Sequence, residues 1–204
     1  MNMKQNTVQL SVEATPGDPL VLMKEWADHI LSIDALEPMY VTLATASRNG
    51  VPSSRMVQLL DIEPDCLLFT TNMGSRKGME MIATGCAAVS VYWRETAQSI
   101  NVTGTIQQAT TEENDRRFAH EDRAIQAARV ASFQGRPVDD EGAYLAKFEE
   151  ILNRDTIIER PDYWRWFRLF PNAVTFWKGY PKALNRRLHY QMTDAGWTHG
   201  LIQA

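Results

Sequence analysis

The spacing of apolar and polar positions changes character several times along the chain. Leu20, Met23, Trp26, Ala27, Ile30 and Leu31 recur at helical spacing and predict an amphipathic helix over 18–33, with Asp18 as its cap and Pro19 in its first turn. After Pro38 the period shortens. Residues 39–45 read as a strand, Arg48-Asn49-Gly50 as a hairpin turn, and 55–60 as a second strand. Pro64-Asp65 turns the chain into a third strand, 66–71; residues 72–75 form a loop, and 76–83 suit a short helix. Strands at 87–92 and 99–108 follow. Then come a helical stretch over 111–133 in two pieces, a break at Gly135-Arg136-Pro137, and a further helix over 139–153. The tail returns to strands at 164–170, 173–177, 188–192 and 197–202.

Strands that succeed one another through short turns pair antiparallel, and eight or nine of them in a small chain curl toward closure. The expected class is α+β, an antiparallel barrel with peripheral helices. It is a single domain over 18–204, preceded by a flexible arm over 1–17. Composition narrows the function. A net charge of −4 over 204 residues disfavours a generally basic nucleic-acid binder. No apolar run has the length of a membrane span, and the N-terminus lacks the apolar core of a secretion signal. Cys66 and Cys86 are too few for a disulfide framework and read as buried apolar fillers. The four histidines lack metal-ligand spacing, and His189 reads as structural. The expectation is a cytoplasmic protein with no metal, nucleic-acid or membrane partner.

GxGxxG, the phosphate-binding P-loop, GxSxG and HExxH are all absent. What remains is the stretch from Thr70 to Lys77: two hydroxyls end a strand, Asn72-Met73-Gly74-Ser75 loop over, and Arg76-Lys77 open a helix. Backbone N–H groups at a helix start favour anions, and Arg and Lys add a fork and a point charge. Read alone, the stretch suits an ordinary strand-turn-helix with solvated basic residues equally well. Arg55, a charge in an otherwise apolar strand, needs a partner. Together these features point to a phosphorylated ligand.

With these blocks in this order, the sequence resembles the pyridoxamine 5′-phosphate oxidase family of flavin enzymes from Asp18 onward. The anchors are Arg55-Met56-Val57, Thr71 to Lys77, Gln134, Phe176-Trp177-Lys178-Gly179, and Arg187 before Tyr190-Gln191. The resemblance implies an FMN-binding split β-barrel and a homodimer with two FMN molecules at the subunit interface. It also implies that Arg55, Met56, Val57, Gln58, Thr70, Thr71, Arg76 and Lys77 line the cofactor from one subunit, while Gln134, Trp177 and Arg187 approach from the other. Trp177 read alone serves equally as a core aromatic. Where the family carries a cofactor-binding Gln, this chain has Ser99, with Gln98 beside it.

The substrate side departs from the family's vitamin oxidases. Their Arg-x-His pair is Ala183-Leu184-Asn185 here, and their phosphate-binding Lys is Leu60. The Tyr, Arg and Ser that complete that phosphate pocket fall on Arg117, Glu121 and Ile125. Tyr92-Trp93-Arg94-Glu95-Thr96 is similar to the phenazine-biosynthesis branch of the family. The resemblance therefore implies an FMN-dependent oxidase of secondary metabolism. It would take a hydride from a reduced aromatic substrate such as a dihydrophenazine acid, with O2 as acceptor giving H2O2. Leu60, Ala183 and Asn185 would shape the substrate pocket, and Lys182, Arg186 or Arg94 could meet a substrate carboxylate. No general base is assigned. The alternatives are a vitamin B6 oxidase with a rebuilt pocket and a flavin-binding protein without turnover.

Overall fold

The computed structural model describes residues 10–204. In chain order the described elements are α1 (Pro19–Ser32), β1 (Tyr40–Ala46), β2 (Pro52–Gln58), β3 (Asp61–Ile62), β4 (Leu67–Asn72) and α2 (Arg76–Thr84). There follow β5 (Cys86–Trp93), β6 (Gln98–Gln108), α3 (Thr111–Ala119), α4 (Arg123–Ala131), α5 (Glu141–Leu152), β7 (Trp164–Lys178), β8 (Arg186–Thr193) and β9 (Gly196–Ile202). The strands form one antiparallel sheet in the order β2-β1-β5-β6-β7-β4-β3, with β8 on β7 and β9 on β8. The two ends of that path meet at consecutive residues. Leu59 N–H donates to Met39 O ahead of β1, and Leu60 N–H donates to Leu68 O on β4, each at 2.8 Å. A chain that bonds to opposite neighbours in successive residues curls the sheet on itself, giving the expected α+β split barrel.

Two cores result. Phe69, Phe167, Phe176 and Tyr190 fill the inside of the curl, where Trp26 of α1 meets Phe176 edge-on at 5.1 Å. A second cluster packs Phe118, Ala127 and Ile151 of α3–α5 against Leu68, Trp164 and Trp166 on the outer face of β4 and β7. The helix expected over 111–133 breaks at His120–Asp122, where Asp122 caps α4 by accepting from Ala124 N–H at 2.8 Å.

Three expectations change. Strands 164–170 and 173–177 are one 15-residue strand, β7, that runs through Pro171. Its first part pairs with β4 up to Leu169, and its last part pairs with β8 from Ala173. Pro171 sits between these two pairings, where no ladder bond is required of it. The register with β6 slips there by one residue, opposite Gly104. A Cβ on Gly104 would lie 2.1 Å from Phe170 O, so only glycine admits that approach. Residues 10–17 are strapped down rather than loose: Leu10 is buried, Arg186 Nη1 donates to Leu10 O and Tyr190 OH donates to Pro16 O, both at 2.8 Å. Residues 1–9 of the expected arm lie outside the described residues. Cys86, expected to be buried, is exposed. No helix among the described residues is long and apolar enough to cross a membrane.

Candidate functional site

The site begins with alternation along β2. Ser53, Arg55 and Val57 turn inward, while Ser54, Met56 and Gln58 are exposed. Arg55 is thereby carried into the barrel end, where Nη1 donates to Leu43 O at 3.1 Å and to Thr45 Oγ1 at 2.7 Å. Its Nη2 donates to Ser53 Oγ at 2.5 Å and lies 3.7 Å from Glu80 Oε2. The partner that this charge needs is thus Glu80, on the second turn of α2.

Helix α2 brings the other cations. Ser75 caps it, accepting from Gly78 N–H at 3.3 Å. A Cβ at Gly78 would fall 2.6 Å from the carbonyl oxygens of Asn72 and Met73, so glycine lets the helix start lie directly on the loop after β4. From that start Arg76 Nε donates to Glu80 Oε1 at 2.8 Å, leaving the rest of a mostly exposed guanidinium free. Lys77 Nζ donates to Gln134 Oε1 at 2.8 Å and to Ser75 Oγ at 3.3 Å, and Thr71 Oγ1 donates to the same Gln134 oxygen at 3.1 Å. Burial, and then the nearby Arg55 charge, lower Lys77 to about 8. Hydrogen bonds from Ser53, Thr45 and Arg76 hold Glu80 at about 2 although it is buried. Two cations therefore converge on one carboxylate, and Lys77 lies close enough to Arg55 to feel its charge, so the cluster carries two positive charges in excess at a helix start.

The other residues named from the sequence fall into separate places. Thr70 faces away from Thr71 and donates to Arg165 O at 2.9 Å, so its hydroxyl serves the sheet. Gln134, which the resemblance brings from a second subunit, instead reaches Thr71 and Lys77 of its own chain. Ser99, Trp177 and Arg187 lie side by side across β6, β7 and β8. Tyr92 extends that row, with its ring 6.4 Å from Trp177. Arg187 is exposed and makes no hydrogen bond or ion pair among the described residues. The row and the cation cluster are not joined by any polar contact among the described residues.

Beside the row, an open groove of about 1070 Å3 is lined by Tyr180, Ala183, Leu184, Asn185, Arg187 and Ile202, among others. Arg186 also lines it but is tied to Leu10 O; Lys182 and Arg94 are exposed and do not line it. Asn185 Oδ1 accepts from Tyr180 N–H at 3.1 Å, which spends it on holding its own loop. Leu60 is partly exposed at the β2–β3 junction. Arg117 pairs with Glu63 at 2.9 Å, Glu121 pairs with Arg129 at 2.6 Å, and Ile125 is exposed. Burial pushes Glu121 up to about 7 against the pull of Arg129, whose guanidinium covers the Trp164 ring at 4.6 Å. Arg117 and Glu121 each have an internal ion-pair partner; together with Arg116, His120 and Trp166 they also line an open cleft of about 460 Å3, to which Ile125 does not contribute.

Sequence reasoning missed Glu80 and Arg165. Glu80 was discoverable as the residue four positions after Arg76, on the same helix face. Arg165 sits beside Thr71 across β4–β7, and its burial is set by pairing that the sequence does not display.

Residues 32–155 match the family model described as Pyridoxamine 5'-phosphate oxidase. A Pyridoxine/pyridoxamine 5'-phosphate oxidase of Microcystis aeruginosa is 34% identical over 97% of this chain and 94% of its own. The crystal structure of PhzG from Burkholderia lata 383, in complex with tetrahydrophenazine-1-carboxylic acid, is 30% identical, covers 98% of both chains and superposes with a TM-score of 0.93. A pyridoxamine 5'-phosphate oxidase-related, FMN binding protein from Nostoc punctiforme shares the fold at 19% identity, with a TM-score of 0.76 over 92% of this chain and 98% of its own.

Proposed function

The chain belongs to the pyridoxamine 5′-phosphate oxidase family and is an FMN-dependent oxidoreductase, and from that premise we propose that it oxidises a flat, reduced aromatic acid of the tetrahydro- or dihydrophenazine kind. The cation cluster fits a phosphate monoester. Two excess positive charges match a dianion, and Thr71, Ser75 and Gln134 add neutral polar partners. Arg55, Arg76 and Lys77 would hold the FMN phosphate there, and Ser99, Trp177 and Arg187 would meet the cofactor from a second copy of the chain. When bound, FMN supplies a two-electron acceptor, so that two electrons and two protons pass in sum from substrate to O2 as H2O2. The protein orients a substrate whose aromatisation drives its oxidation, and no side chain is assigned as a base.

The observation that carries the substrate reading is the internal pairing of Arg117 with Glu63 and of Glu121 with Arg129, together with the short side chains at Ala183 and Asn185 in the separate groove. In that groove Arg186 is tied to Leu10 O and Arg187 is assigned to the cofactor, so a substrate dianion would lack a dedicated cation and be poorly paired. A flat polycyclic acid gains instead by burying apolar area, at about 25 cal/mol per Å2. The PhzG likeness favours this reading. The names of the curated relatives favour a second, oxidation of pyridoxine or pyridoxamine 5′-phosphate. Anaerobic mixing of the yellow holoprotein separates the two. Tetrahydrophenazine-1-carboxylic acid should bleach the flavin absorbance within seconds, and pyridoxine 5′-phosphate should leave it unchanged. Steady turnover of pyridoxine 5′-phosphate at about 1 per second or faster would establish the second reading instead. Bleaching by neither would favour a binding protein.

A further inference from the structure

Nothing in the resemblance or the comparisons assigns a role to Glu80. Among the described residues it is the one buried carboxylate, 6% exposed, and it lies on α2 one turn beyond Arg76. Its two oxygens divide their partners. Oε1 takes Arg76 Nε at 2.8 Å, while Oε2 takes Thr45 Oγ1 and Ser53 Oγ at 2.5 Å each. Those two hydroxyls in turn accept from Arg55, at 2.7 Å and 2.5 Å. Each hydroxyl therefore passes its own hydrogen to the carboxylate and receives one from the guanidinium, which fixes the orientation of both. One residue of α2 thus sets two arginines that come from opposite walls, one on β2 and one at the helix start.

We propose that Glu80 is the positioning residue of the cofactor phosphate site, holding Arg55 and Arg76 in one arrangement that faces a phosphate monoester. The inference rests on the FMN reading above. It makes a counterintuitive claim about charge. A carboxylate beside a phosphate site repels the ligand, so simple Coulomb reasoning has Glu80→Gln tighten FMN binding. Positioning predicts the reverse, because a Gln amide presents N–H groups to donors. It would break either the Arg76 bond or the shared hydroxyl pair, and in either orientation one of the two guanidinium groups would lose its fixed direction.

The test is fluorescence titration of the full-length apoprotein with FMN and, separately, with riboflavin, which lacks the phosphate. Glu80→Gln is compared with Thr45→Val, a near-isosteric change that cuts one Arg55–Glu80 link without altering charge; thermal melts verify that each variant is folded. Glu80→Gln should weaken FMN binding by about tenfold or more, the worth of one or two charge-assisted bonds, and Thr45→Val by a smaller factor in the same direction. Riboflavin affinity should stay within about twofold in both, since none of these bonds reaches a ligand without phosphate. An unchanged or increased FMN affinity in Glu80→Gln overturns the proposal in favour of simple repulsion. Equal losses for FMN and riboflavin overturn it in favour of a general packing role. A wild-type protein that binds riboflavin as well as FMN overturns the phosphate reading itself, and this inference with it.

Discussion

Lys77 is held in a state that a bound anion would reverse. A lysine in water titrates near 10.5, and burial beside Arg55 brings this one to about 8. A phosphate dianion next to it favours the charged form and raises the pKa again, so binding above pH 8 takes up a proton. FMN affinity should be flat between about pH 7 and 8, where the phosphate is already a dianion and Lys77 still charged. It should then fall by up to about tenfold per pH unit as Lys77 loses its proton in the free protein. Stability of the cofactor-free protein moves the other way. Between pH 8 and 10.5 the unfolded chain binds the extra proton, so this group's contribution to stability rises with pH. Lys77→Arg, which stays charged, should bind FMN without the decline. Titration from pH 7 to 10 by flavin fluorescence quenching reads this out, and a wild-type affinity that is flat to pH 10 would remove Lys77 from the phosphate site. Gln134 is the neutral counterpart. It accepts from Lys77 and Thr71 with one oxygen, and Gln134→Ala should leave Thr71 without this acceptor and Lys77 held only by Ser75, loosening the site and weakening FMN by about tenfold.

At the scale of elements, most of the architecture was legible because periodicity survives packing. α1, β1, α2 and the β5–β6 pair stand where their spacing puts them, to within one residue at each end, whereas β2 runs Pro52–Gln58 rather than 55–60. What was illegible depended on two elements meeting. Phe170-Pro171 looks like a strand end because proline cannot donate, yet β7 continues since its partner changes from β4 to β8 at that residue. The two-residue β3 is too short to carry any alternation, and it exists because Leu60 already bonds to β4. Among site residues, the basic run at Arg76-Lys77 was visible locally, whereas the burial of Glu80 follows from α2 lying on β2 and β1. Gly104 and Gly78 mark such meetings. Gly104→Ala drives a methyl group into the Phe170 carbonyl and should cost about 3 kcal/mol in urea unfolding. A cost under about 0.5 kcal/mol would mean that β6 and β7 can separate there without consequence. Gly78→Ala should act on the site more than on the fold. It lifts the helix start from the loop after β4, carrying Lys77 away from Gln134, so FMN affinity should fall by more than stability does.

Across the whole molecule, the residues that resemble a flavin site form two groups with no polar contact between them among the described residues. The cation cluster occupies the barrel end, while Ser99, Trp177 and Arg187 run across the outer face of β6, β7 and β8. Two chains would bring both groups to one ligand if the row of one met the cluster of the other. The apolar surface argues the same way. Met56 and Tyr92, each 59% exposed, stand on the outer faces of β2 and β5, and Leu184, Leu201 and Ile202 line the open groove with their side chains in solvent. Monomers rarely leave contiguous apolar surface of this kind uncovered. The expected species is a homodimer with an extensive apolar interface and two equivalent cofactor sites, each built from both chains. Cofactor retention and association should then be one equilibrium. Diluting the holoprotein should release FMN, seen as recovered flavin fluorescence, over the same concentration range in which sedimentation shows dimer passing to monomer, and excess FMN should shift both transitions together to lower protein concentration. Trp177→Ala should weaken FMN and, through the same linkage, move dimer dissociation to higher protein concentration, while the fold of each chain stays intact because the ring is only half-buried in its own chain. A monomer that holds one FMN per chain at all concentrations would show that the cluster suffices alone, and would return Trp177 and Arg187 to the surface.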